Sequence, residues 1–201
     1  GYIYQQQGNF KKAEREFERA LDDLKPTRQD VYDLSNAFMI RRLQDYAIEA
    51  YKKGQKIMPD GYAFNLELAN MYQATRQYEL MMDEYIIILE KDEYMLQSVQ
   101  NRLQNLMSNT DEVKSREAIR TKLVEKVQKS PKELVFSEML LWYSMQVKNF
   151  SLALIQAKAI DKRLVNEGAT VYELGIVAAS NKDYDVAIEA FNYIINLGEE
   201  G

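Results

Sequence analysis

The stretch YELGIVAASNKDYDVAIEAFNYIINL, Tyr172 to Leu197, decides the fold. In Val171-x-x-Leu174-Gly175, apolar and small residues recur at helical spacing. Ser180-Asn181-Lys182-Asp183 then interrupts the pattern with turn-forming side chains. A second helix follows, with Tyr184, Ala187, Ile188, Phe191, Ile194 and Ile195 at steps of three and four, read as one apolar face. The product is a helical hairpin that does not bury its apolar side alone, so neighbours of the same kind must cover it.

Those neighbours are present at a step of 34 residues. Tyr4, Phe38 and Tyr72 superpose, as do Ala13, Ala47 and Met81, and Phe17, Tyr51 and Tyr85. Phe150 with Tyr184 and Ala153 with Ala187 carry the same step towards the other end. The step from Met81 to Ile119 is 38, so four extra residues enter around Ser108 to Val113. Six units of 34, with four residues inserted and seven missing from the first, account for all 201 residues. The units run 1–27, 28–61, 62–95, 96–133, 134–167 and 168–201 within a single domain.

This pattern resembles the tetratricopeptide repeat family, whose unit follows W-x₂-L-G-x₂-Y…A-x₃-F…P. Gly1-x-x-Tyr4 with Ala13-x₃-Phe17 and Pro26 fits, as do Leu34-Ser35-x-x-Phe38 with Ala47-x₃-Tyr51 and Pro59. Leu68-Ala69-x-x-Tyr72 with Tyr85, and Leu174-Gly175 with Ala187-x₃-Phe191, fit again. The resemblance implies an all-α, right-handed superhelical solenoid of antiparallel helix pairs, about six repeats with the first truncated. The chain is then read as a segment of a longer, bacterial, repeat protein.

Two units depart from the pattern. Leu103 and Leu141 occupy the slot that holds Gly1, Ser35, Ala69 or Gly175 elsewhere. A large side chain where helices cross forces them apart or rotates them, so an irregularity is expected between Glu93 and Val165. Pro26, Pro59 and Pro131 fall between hairpins, where a helix must stop. Gly8-Asn9, Lys148-Asn149 and Lys182-Asp183 fill the tight turns within hairpins. Asn149-Phe150-Ser151 also spells a glycosylation sequon, but its place in a turn makes a structural role the expectation.

Composition narrows the chemistry. The chain has no histidine and no cysteine, which removes the commonest general base and the thiol nucleophile. Gly54 and Gly61 stand alone, without the Lys-Ser/Thr pair of a phosphate loop. The acidic run Glu79, Asp83, Glu84, Glu90, Asp92 and Glu93 reads as a solvated helix face instead of a metal site. The basic helix Lys114 to Lys132 reads as its charge partner in the stack, each exposed pair contributing under about 1 kcal/mol. A net charge of −5 and the absence of a long apolar run argue against nucleic acid and membrane insertion. No enzyme activity, catalytic residue, cofactor or metal is expected.

In arrays of the tetratricopeptide kind, the first helix of each hairpin lines a concave groove that receives partners. The resemblance maps Tyr32, Asn36, Met39, Leu66, Asn70, Gln73, Gln100, Gln104, Met107, Glu138, Trp142, Met145, Tyr172 and Ile176 onto it. This lining is amide, aromatic and methionine, a mixture suited to peptide recognition. Inner helices roughly 10 Å apart match about three residues of extended chain. Asn36, Asn70 and Gln104 would then pair with every third peptide group of a bound strand. The slots that grip a C-terminal carboxylate in one subclass hold Tyr32, Asp33, Ala63 and Glu67 here, so that ligand is not expected.

The expectation is therefore an interaction scaffold for a peptide or protein segment, with Trp142, Tyr32 and Tyr172 as anchors. The alternative is a structural spacer or self-assembling arm of a cell-envelope or secretion assembly, or a regulatory domain of a larger protein. Apolar residues at both ends allow end-to-end self-association. The acidic, cysteine-free, Tyr/Gln/Asn-rich composition resembles envelope repeat proteins and favours the bacterial envelope or periplasm over the cytoplasm.

Overall fold

A computed structural model describes residues 1–59, 63–109, 113–165 and 167–199. Among them the chain is all-α, and its twelve α-helices pack pairwise with neighbours in the chain. The chain forms two compact units, residues 1–91 and 92–201.

The first unit holds α1 (Tyr2–Gln6), α2 (Phe10–Asp22), α3 (Arg28–Ile40), α4 (Gln44–Ile57), α5 (Asn65–Ala74) and α6 (Tyr78–Lys91). Each odd helix pairs with the even helix that follows. Thr27 starts α3 by accepting from the Asp30 N–H at 3.1 Å, one residue after Pro26 ends the preceding segment. Val31, Phe38, Ala47, Leu68, Ala69, Met81 and Tyr85 are buried between the helices. Small residues allow the close crossings: a Cβ added to Gly54 would meet Val31 Cγ1 at 2.8 Å and the Phe64 ring at 2.9 Å. The Lys53–Asp22 pair, 2.8 Å, joins one hairpin to the next.

The second unit opens with a 3-10 turn, Glu93–Met95, and holds α7 (Leu96–Asn109), α8 (Val113–Lys129), α9 (Leu134–Gln146), α10 (Phe150–Leu164), α11 (Ala169–Ser180) and α12 (Tyr184–Glu199). Hairpins α9–α10 and α11–α12 are close, and a cluster including Phe150, Leu154, Val171, Leu174 and Ala187 is shared among α10, α11 and α12. Buried Asp161 fastens this cluster, accepting from the Gly168 N–H at 2.7 Å and the Tyr193 hydroxyl at 3.0 Å.

The irregularity expected between Glu93 and Val165 is found in one hairpin only. Backbones of α7 and α8 do not come into the close contact seen in the other pairs, and Leu103 is fully buried in the small-residue slot. In the next hairpin Leu141 is half-buried, while Ser137 and Ser144 are buried and keep the crossing narrow, so α9 and α10 stay close. The insertion placed around Ser108 to Val113 overlaps 110–112, which lie outside the described residues.

The turns carry the repeat most exactly. Gly8, Arg42, Arg76, Lys148 and Lys182 all have positive φ, between 56° and 73°. The five positions are one slot of the 34-residue register, the fourth-hairpin equivalent lying in the undescribed segment. Each turn closes the same way. Arg42 N–H donates to the Met39 carbonyl and Leu43 N–H to Phe38, and the pair recurs as Arg76 to Gln73 with Gln77 to Tyr72. It recurs again as Lys148 to Met145 with Asn149 to Ser144, and as Lys182 to Ala179 with Asp183 to Ala178. This is the left-handed cap that satisfies the last carbonyls of a helix. Asn9, Asn149 and Asp183 then cap the next helix by accepting from N–H groups three residues on. The sequon residue Asn149 is one of these caps.

One face assignment needs correcting. On α12 the buried stripe is Val186, Ala187 and Ala190, with Phe191, Tyr193 and Ile194 partly buried. Tyr184, Ile188 and Ile195 point to solvent. The helix is apolar on two sides, so periodicity alone finds apolar stripes without saying which one meets α11.

Candidate functional site

The residues mapped to a groove form three slots, at i, i+4 and i+7, on the first helix of each hairpin. In the first unit these are Tyr32, Asn36 and Met39 on α3, and Leu66, Asn70 and Gln73 on α5. Asn36 and Asn70 are exposed and the other four half-buried. Val31, Ser35 and Phe38 of α3 are buried, with the Ser35 hydroxyl donating to the Ala47 carbonyl of α4 at 3.3 Å. Asn36 therefore lies on a side of α3 away from its hairpin partner.

Tyr32 is held on three sides. Its hydroxyl donates to Glu67 Oε1 of α5 at 2.5 Å, and its ring stands edge-on to Phe64 (5.6 Å) and Tyr51 (6.2 Å). Its polar tip thus bridges successive first helices while the ring fills the space between hairpins. Glu84 sits on α6 with Asn65 donating to it at 2.6 Å, and burial raises its carboxyl above the ordinary value despite that bond. Glu84 belongs to the acidic run expected to form a solvated face, yet it is half-buried and bonded to Asn65 at the start of α5.

In the second unit the slots hold Gln100, Gln104 and Met107 on α7, Glu138, Trp142 and Met145 on α9, and Tyr172 and Ile176 on α11. Gln104, Tyr172 and Ile176 are exposed and the others half-buried. Met145 packs against the α10–α12 cluster, and the Tyr172 ring lies 6.0 Å from Phe191. Glu138 is the one charged member. Burial, and then the neighbouring Glu93 carboxylate, push its carboxyl above the ordinary value. The sequence lists Glu138 among the slots but gives no sign that Glu93, 45 positions earlier, acts on it.

The basic helix is partly engaged within its own unit. Lys126 of α8 pairs with Glu133 at 3.2 Å and lies 4.6 Å over the Phe136 ring. The Tyr143 hydroxyl of α9 donates to the Arg116 carbonyl at 2.7 Å, tying α9 to α8. Among the described residues no group of His, Cys, Asp or Glu is arranged to hold a metal ion, and no helix is long and apolar enough to cross a membrane. No protein-family model matches the chain, and no curated protein matches it.

Proposed function

We propose that the chain is a non-enzymatic scaffold that docks an extended peptide or protein segment along the first-helix faces of its hairpins. In this reading each unit's hairpins wind in the right-handed manner of tetratricopeptide repeats. The observation that carries it is the repeated slot. At i, i+4 and i+7 on α3, α5, α7 and α9, and at i and i+4 on α11, side chains are exposed or half-buried, the residue before most of them is buried, and all but Glu138 are uncharged. Amides supply donor and acceptor together, which a peptide backbone requires. Methionine and aromatic side chains supply adaptable apolar area for the ligand's side chains. Tyr32 and Trp142 are the anchors, being rigid and partly enclosed.

Peptides selected from a random library against the whole chain test this reading. Of the nine methionines, Met39, Met107 and Met145 lie in the slots, whereas Met81, Met82 and Met139 are buried elsewhere. Bound peptide is expected to shift the methyl resonances of the first three and leave the second three in place. Ligands that leave Met39, Met107 and Met145 unmoved contradict the reading.

A further inference from the structure

Glu189 and Tyr193 of α12 hold a cation between them. They lie four residues apart, one turn along the helix, and both meet Lys158 of α10. Its Nζ stands 2.6 Å from Glu189 Oε1 and 5.4 Å from the centre of the Tyr193 ring. The carboxylate neutralises the ammonium while the face of the ring attracts it from a second side. Lys126 of α8 is held by the same two kinds of group, Glu133 at 3.2 Å and the Phe136 ring at 4.6 Å.

Glu138 and Trp142 of α9 repeat the four-residue spacing of Glu189 and Tyr193 on the proposed docking face. Both are half-buried, and no lysine or arginine among the described residues pairs with them. Glu138 accepts no hydrogen bond and joins no ion pair among those residues, and the charge that bears on it is a second carboxylate, Glu93. The Trp142 indole lies against no other ring there and under no cation. Enclosed carboxylates elsewhere in the fold are satisfied: Glu67 accepts from Tyr32, Glu84 from Asn65, and Asp161 from Gly168 and Tyr193. A half-enclosed charge costs stability unless it is paired, which sets Glu138 apart from them. Gln100 on α7 and Tyr172 on α11 occupy the same slot without charge, so the attraction for a cation is confined to α9.

We infer that Glu138 and Trp142 form a recognition site for one positively charged side chain of the segment that docks on this face. The inference rests on the docking reading above and adds the chemistry of the ligand: a segment with arginine, or less well lysine, at the position that meets α9. The cation pairs with the Glu138 carboxylate and lies over the indole, as Lys158 does between Glu189 and Tyr193. Arginine suits the pair better, because its planar guanidinium stacks on a ring while its edge donates to a carboxylate.

Trp142 is the only tryptophan of the chain, so its emission reports on this site alone. The whole chain and its Glu138→Gln variant are titrated with peptides selected from a random library against the parent. Selected peptides are expected to share a basic residue at one position and to change the Trp142 emission. Exchanging that residue for its uncharged counterpart, citrulline or acetyl-lysine, is expected to weaken binding to the parent about tenfold. The same exchange is expected to leave binding to Glu138→Gln nearly unchanged. The variant is expected to stay folded, since it removes a charge that nothing in the fold pairs with. Peptides that shift the slot methionines but share no cation, leave Trp142 undisturbed, or bind both proteins equally overturn this inference and leave the docking reading standing. Peptides that leave the slot methionines unmoved remove both. Calcium chloride alone at about 1 mM is expected to leave the emission unchanged; a response that Glu138→Gln abolishes would assign the pair to a metal ion and overturn the inference.

Discussion

The Tyr32 hydroxyl donates to Glu67 Oε1 across 2.5 Å, joining the first helices of two successive hairpins 35 positions apart. The bond lies at the edge of the proposed binding face and fixes the spacing of α3 and α5 there. Tyr32→Phe keeps the ring against Phe64 and Tyr51 and removes the hydroxyl alone. A partly buried bond to a carboxylate contributes about 1–2 kcal/mol, and urea unfolding is expected to show a loss of that size. No loss would mean that ring packing alone holds the two helices.

Glu138 gives the stability a pH dependence of definite sign. Burial and then Glu93 raise its folded value above the unfolded 4.5, so the folded state holds the proton more tightly. The resulting stabilisation is complete below 4.5 and is lost as pH rises through the raised value. Glu138→Gln removes a charge that the fold disfavours. Its melting temperature is expected to equal the parent's near pH 4 and to exceed it at about pH 7. A variant less stable than the parent at neutral pH contradicts this.

Gly175 marks the narrow crossing of α11 and α12. A Cβ there would stand 2.8 Å from Phe191 Cε1 and 3.2 Å from Ala190 Cβ. Gly175→Leu is expected to cost about 1–3 kcal/mol by overpacking, read as a lower melting temperature. The same slot accepts Leu103 fully buried where α7 and α8 stand apart. The cost thus reports the narrowness of the crossing and not the slot itself. A neutral substitution at Gly175 would show that α11 and α12 separate freely.

How much of this was legible in the sequence depended on whether a residue's chemistry or only its register carried the information. The all-α class and the hairpin pairing followed from period and punctuation. The turns at Gly8, Lys148-Asn149 and Lys182-Asp183 were readable because glycine, or a capping Asn or Asp, favours them. Arg42 and Arg76 adopt the same left-handed geometry without any such residue, and only the 34-residue step points to them. Leu103 correctly foretold a parted hairpin. Leu141 did not, because Ser137 and Ser144 one turn away on either side supply the small residues that the rule looks for at a single position. On α12 two apolar faces compete, and nothing local says that Val186, Ala187 and Ala190 face inward. At the candidate site the slot positions come from the repeat alone. The Tyr32–Glu67 and Glu93–Glu138 relations were not legible there, since each depends on how one helix is rotated against another.

The most direct test of the account is the affinity of a library-selected peptide for the parent chain and for the combined Asn36→Ala, Asn70→Ala variant, by titration calorimetry. Asn36 and Asn70, both in the first unit, are exposed, so truncating them leaves the buried core intact. If these amides pair with the peptide backbone, the variant is expected to bind at least about tenfold more weakly, about 1.4 kcal/mol. Equal affinity in the two proteins would contradict the proposal that these amides read a bound strand.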